Sequence, residues 1–218
     1  MPVRAEKEKR MWKRIFDMEN PLMRALATIC DLLVLNVLTA LCCLPVVTAG
    51  AALTALADVS LRIVRSEDAG VARGFLRAFR SNLRQGVPLG ALFLFAAAVL
   101  YVDYFAAAVY APPLRAAVIA AALIVGAIAL YAFALLARYE NTVRRTLGNA
   151  ASLAIACFPR TMGMLLFTVG LWGVCLYFYR YALPVLLLFG LSLPAYVAAL
   201  LMDSIFRGLE ADNKEEIR

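Results

Sequence analysis

Six runs of apolar residues, at about 25–44, 46–63, 87–110, 114–137, 162–180 and 182–206, alternate along the chain with shorter stretches rich in arginine. Most of these runs reach the ~20 helical residues needed to cross ~30 Å of hydrocarbon. The second is the weakest, because Asp58 lies inside it and Arg62 and Arg65 close it. Two of the connecting stretches carry a helical period of their own. In 71–85, Arg73, Arg77, Arg80 and Arg84 fall within a wedge of roughly 60° when turned at 100° per residue, with Phe75, Leu76, Phe79 and Leu83 opposite. That pattern predicts a helix lying in the interface, rings in the acyl boundary and guanidiniums toward headgroups. In 140–159, Leu147, Ala151, Ile155 and Phe158 share one face, opposite Arg145, Asn149 and Ser152.

The fold class expected is therefore all-α: a polytopic transmembrane bundle of six spans arranged as three hairpins. The hairpins cover about 25–63, 87–137 and 162–206, with tight outer turns at Leu44-Pro45, Ala111-Pro112-Pro113 and Arg180-Tyr181. Amphipathic interfacial helices occupy the inner connections. Residues 1–24 read as a basic amphipathic lead-in carrying Trp12, Ile15 and Phe16, and 207–218 as a short tail. The lead-in is longer than the charged head of a secretory signal, and the run behind it is long enough to span.

Composition agrees with lipid as the solvent. Hydrophobic residues make up 64% of the chain and mean hydropathy is +0.80, more than a soluble domain of 218 residues can bury. The net charge of +7 is an orientation signal here and gives no support to nucleic-acid binding. With six spans, 20 of the 22 Lys and Arg fall in 1–24, 62–86, 138–161 and 206–218, leaving only Arg115 and Arg180 outside. Both termini are then cytoplasmic. A membrane-dipping pair at 26–63 that never fully crosses keeps the same sidedness.

Catalytic chemistry is poorly provided for. There is no His, and Cys30, Cys42, Cys43, Cys157 and Cys175 all sit in apolar runs without metal or redox spacing. No phosphate loop, nucleophile elbow or paired carboxylates occur, so neither an enzyme nor a cofactor is expected. The polar residues inside the apolar runs are the candidates for function: Asp31 with Asn36, Asp58, Asp103 and Asp203. Asp58 to Arg62 and Asp203 to Arg207 are acid-to-base at i,i+4, and Asp103 has Arg180 within reach at the outer surface. Asp31 and Asn36 have no such local partner. A solute or proton path and interhelical hydrogen bonding both remain open for them. Gly50 and Thr54, with Ala51 and Ala55, Gly86 and Gly90, are small residues at i,i+4 that admit a close helix neighbour and are candidates for contact with a partner. Arg73, Arg77, Arg80 and Arg84 are candidates for anionic lipid or a partner.

The stretch Leu35-Asn36, then Leu44-Pro45-Val46-Val47-Thr48-Ala49-Gly50-Ala51-Ala52-Leu53-Thr54-Ala55-Leu56, resembles the opening of the YesL family of bacterial membrane proteins. Arg65-Ser66-Glu67-Asp68, Phe75, Arg77-Ala78-Phe79-Arg80, Asn82 and Gln85 continue the likeness. The family has no assigned activity, and its members tend to be encoded beside carbohydrate ABC importers. The resemblance implies a bacterial plasma-membrane protein that acts as a non-catalytic accessory or subunit of an oligosaccharide importer, with permease subunits as partners. A stand-alone small-solute transporter or channel, with intramembrane Asp residues on its path, is the alternative. The Glu-Ala-Ala, Gly and Pro of a permease coupling loop are missing: Ala150-Ala151 and Pro159 have neither the Glu nor the Gly.

Overall fold

The computed structural model describes residues 21–67, 70–110, 113–139, 142–178 and 188–216, and regular structure among them is entirely helical. Seven α-helices follow in order: α1 (Pro21–Cys43), α2 (Ala49–Val64), α3 (Val71–Tyr110), α4 (Leu114–Arg138), α5 (Val143–Ala156), α6 (Phe158–Tyr177) and α7 (Ser192–Glu216). Five stretches are long and apolar enough to cross a membrane, contributed by α1, by α2 with the short 3-10 turn before it (Val46–Thr48), and by α3, α4 and α6. The expected sixth run, 182–206, is described only from residue 188. The lead-in over 1–20 and the outer turns at 111–112 and 180–181 lie outside the described residues.

α1 runs without Gly or Pro after its first residue and stops at Cys43, just before Leu44-Pro45, where the proline disfavours helical geometry in the residue ahead of it. The Thr48 hydroxyl stitches the turn, lying 2.7 Å from the Cys42 carbonyl oxygen and 2.8 Å from that of Pro45. α2 ends in a Schellman arrangement: Glu67 N–H donates to Arg62 O at 3.0 Å and Ser66 N–H to Ile63 O at 3.1 Å. Ser66 takes the left-handed position usually held by glycine, with φ of 56°.

The largest departure from the expected elements is α3. The interfacial helix at 71–85 and the span at 87–110 form one continuous helix of 40 residues, ~60 Å long at 1.5 Å per residue. Pro88 lies inside it. Its missing N–H leaves the Arg84 carbonyl without the usual helical donor. Packing explains why the helix continues. Gly86 and Gly90 press onto α2 at Gly50, and Leu89 is fully buried between them. A β-carbon at Gly50 would collide with the Gly86 carbonyl oxygen and lie 2.5 Å from the Gly90 Cα. Further along, Gly74 faces Val59 at 3.8 Å, so α2 runs antiparallel along the first half of α3.

Phe75 does not lie in an acyl boundary. It is fully buried with Leu35 of α1 and Ala52, Ala55, Leu56 and Val59 of α2, and stacks on Phe79 at 6.2 Å. A second core joins α4 to α2, α5, α6 and α7 around Tyr131, Leu135, Met164 and Met202. The Tyr131 hydroxyl is 3.1 Å from that of Thr161, which also lies 3.1 Å from the carbonyl oxygens of Ala154 and Cys157, so α4 is tied to the α5–α6 corner. α5 forms where the second amphipathic stretch was expected, but its buried stripe is Thr146, Ala150 and Ala154. Ile155 and Phe158, of the apolar face expected in the interface, are not covered by protein and point outward at 77% and 61% exposure. The reason is residue size: α5 packs closely on α4 through alanine and threonine, and the bulky residues are turned out.

Candidate functional site

Two polar ties cross between helices and a third lies within one. The deepest is Asn36, 2% exposed on α1. Its Oδ1 accepts the backbone N–H groups of Leu191 at 2.8 Å and Ser192 at 3.0 Å. One side chain thus satisfies two of the orphan donors at the start of α7, as an N-cap does, but from a residue 155 and 156 positions away. Substituting Asn36 by Leu is expected to cost about 2–4 kcal/mol, because two buried donors lose their acceptor. A thermal melt of purified N36L against the parent checks this, with the exposed Val37→Leu as a neutral control.

The second tie is Asp203 of α7 with Arg65 at the end of α2, Nε to Oδ1 at 2.6 Å, each side chain 11% exposed. Sequence spacing pointed Asp203 at Arg207, whose side chain lies outside the described ones. No local signal could have found Arg65, since the pair is separated by 138 residues. The third tie is the expected one: Arg62 meets Asp58 at 3.0 Å across one turn of α2.

Asp31 stands apart from Asn36. It has no hydrogen bond or ion pair among the described residues. It lines a polar cleft of about 490 Å³ with Arg24, Thr28, Arg62, Ser66 and Glu67, where the start of α1 faces the α2–α3 connection. The cleft brings two cations and two carboxylates around one opening. Asp103 is exposed on the second half of α3, and Arg180 lies outside the described residues. Arg115 instead stacks over the Tyr104 ring at 5.4 Å, beside the contacts of Tyr101 and Tyr104 with Phe105.

The small-residue face read as a site for a partner is filled from within the chain. Gly50, Ala51 and Thr54 are buried against α3, and the Thr54 hydroxyl donates to the Gly50 carbonyl at 2.8 Å. Gly50 and Thr54 are therefore engaged within the chain, at the crossing of α2 and α3. Arg73, Arg77, Arg80 and Arg84 are all exposed, on the side of α3 turned away from α2. Held in lipid, each would cost about 2.5–3.5 kcal/mol at the bilayer centre. At an anionic surface each instead contributes about 1 kcal/mol.

Long apolar helices, ties that satisfy buried polar groups internally and an arginine face at one end define a multi-pass helical membrane protein. The family described as protein of unknown function, DUF624, a membrane-protein family, matches residues 32–104. The match covers α1 from Leu32, all of α2 and α3 up to Tyr104, the part held by the glycine crossing. Neither a curated protein nor a solved structure matches the chain.

Proposed function

We propose that this chain is a non-catalytic membrane accessory of an oligosaccharide ABC importer, in the bacterial plasma membrane with both termini cytoplasmic. The observation that carries the non-catalytic part is the commitment of its deep polar groups. Asn36 and the Arg65–Asp203 pair hold helices together, and Asp58 is engaged by Arg62 within α2. Such ties favour a structural part over a site of chemistry. The resemblance of 35–85 to the YesL family supplies the importer half of the reading. With Gly50 and Thr54 occupied internally, contact with permease subunits or with anionic lipid falls to Arg73, Arg77, Arg80 and Arg84. Affinity purification from native membrane, followed by mass spectrometry, is expected to recover two permease subunits in fixed ratio. Loss of those subunits on changing the four arginines to Gln, with the protein still folded, places the contact on that face.

One observation favours the alternative, a stand-alone transporter: Asp31 opens into a polar cleft and has no partner among the described residues. If purified protein alone moves a solute into liposomes and Asp31→Asn abolishes this, the accessory reading fails.

A further inference from the structure

We propose that the polar cleft between the start of α1 and the α2–α3 connection binds a phosphoethanolamine group, a primary ammonium linked to a phosphate. The cleft measures about 490 Å³. Four charged side chains line it: Arg24 and Asp31 from α1, Arg62 from α2, and Glu67 just beyond the end of α2. Arg24, Asp31 and Glu67 make no side-chain hydrogen bond or ion pair among the described residues. Arg62 gives one nitrogen to Asp58, but a guanidinium carries five N–H donors, so others face the opening. Arg65 is held by Asp203 and does not line the cleft. Acids and bases thus share one opening without closing on each other, whereas Asn36 and Asp203 are fully engaged.

The sign of these groups selects the ligand. A simple anion would meet Asp31 and Glu67 as well as the arginines, and a simple cation would meet Arg24 and Arg62. Like charges brought together are unfavourable, so a molecule carrying both charges fits best. The cation is a primary ammonium. None of the lining residues is aromatic, so no ring face is offered to a quaternary ammonium, while two carboxylates can accept the three N–H donors of a primary one. The anion is a phosphate. Two guanidiniums and the Ser66 hydroxyl stand on the lining, more donors than the two oxygens of a carboxylate use well. The first N–H groups of α3 add to them: Gly70 has no side chain to cap the helix, and the first helical bond runs from Gly74 N–H to Gly70 O at 2.9 Å.

The rest of the wall suits the carbon part of such a molecule. Ala27, Val59, Ile63 and Val71 are apolar, and the glycines leave it open. A β-carbon at Gly70 would meet nothing within 4 Å, and one at Gly74 only the Val59 side chain at 3.8 Å. Phosphoethanolamine occurs free and as the head of a phospholipid, and the test separates the two sources.

The test uses full-length protein in nanodiscs of phosphatidylcholine and phosphatidylglycerol. O-phosphoethanolamine is titrated by calorimetry, with phosphocholine as the comparison. The expected result is binding of the first, and binding of the second weaker by about tenfold or more, because the methylated nitrogen cannot donate to Asp31. Asp31→Asn and Arg24→Gln should each weaken phosphoethanolamine by about tenfold while leaving the thermal melt unchanged, since neither removes a contact within the chain. The comparison of the two ligands on the parent protein holds whatever the variants do to folding. For the lipid source, discs mixing phosphatidylethanolamine with phosphatidylcholine are released into native mass spectrometry. Enrichment of phosphatidylethanolamine on the parent and its loss in D31N assign the lipid head, and calorimetric binding without enrichment assigns the free molecule. These readings need neither an importer partner nor solute movement, so they succeed or fail separately from the proposed function. Equal affinity for phosphocholine, full binding retained in both D31N and R24Q, or neither calorimetric binding nor lipid enrichment overturns the proposal.

Discussion

Gly50→Ala is expected to cost more than any other single-methyl change in the described structure. The added carbon lands on the Gly86 carbonyl oxygen and against the Gly90 Cα, and both obstacles are backbone. A flexible side chain could swing away, but a helix axis cannot without breaking its other contacts. Overpacking a tight core costs about 1–3 kcal/mol where neighbours can adjust, and more where they cannot. Gly86→Ala should behave similarly, since its new carbon would sit 2.7 Å from the Ala51 Cα. Gly148→Ala and Gly170→Ala meet nothing within 4 Å and should be neutral or stabilising by up to ~1 kcal/mol, as alanine is the better helix former. Size-exclusion chromatography of detergent extracts after heating reads all four. Loss of the monodisperse peak at low temperature is expected for the first two only.

The second large effect concerns Arg65 and Asp203. Removing either charge alone, by Arg65→Met or Asp203→Leu, leaves its partner half-desolvated at the end of α2 or in α7, and about 3–5 kcal/mol should be lost. Removing both together should restore most of that stability, because the cost lies in the stranded charge and an apolar pair can fill the same space. A double-mutant cycle by thermal melting checks this. Additive losses would mean that the two side chains act independently. At Asp58 and Arg62 the same treatment should give a smaller coupling, as the Arg62 side chain is 32% exposed.

Hydropathy alone was enough to read the helices, because a membrane leaves helix as the natural way to satisfy a backbone in these apolar runs. The Asp58–Arg62 pair was equally legible, being local. What could not be read was anything that depends on which helices meet. Phe75 looked lipid-facing because an amphipathic period gives the same signal for burial in acyl chains and burial in protein. The division at residues 85–87 came from treating the change from basic to apolar as a boundary, although Pro88 and the two glycines around it are held in helix by α2. Asn36 has no local partner in the sequence because it caps α7 from a distance. Its partners are backbone N–H groups, which leave no trace in side-chain spacing. Gly50 and Thr54 were correctly read as a close-approach face, but the sequence does not say whether the approaching helix belongs to the same chain.

The ties also order events in time. Asn36 and Arg65 are made well before the groups they meet in α7, Leu191, Ser192 and Asp203. At about 5–20 residues per second, the 138 residues between Arg65 and Asp203 take roughly 7–30 s to appear. Throughout that interval the Asn36 side-chain oxygen and the Arg65 guanidinium do not yet have the contacts that α7 supplies. A chain truncated before residue 191 would form neither tie. α7 is therefore expected to lock α1 and α2 together only after the helices that lie between α2 and α7 have been made.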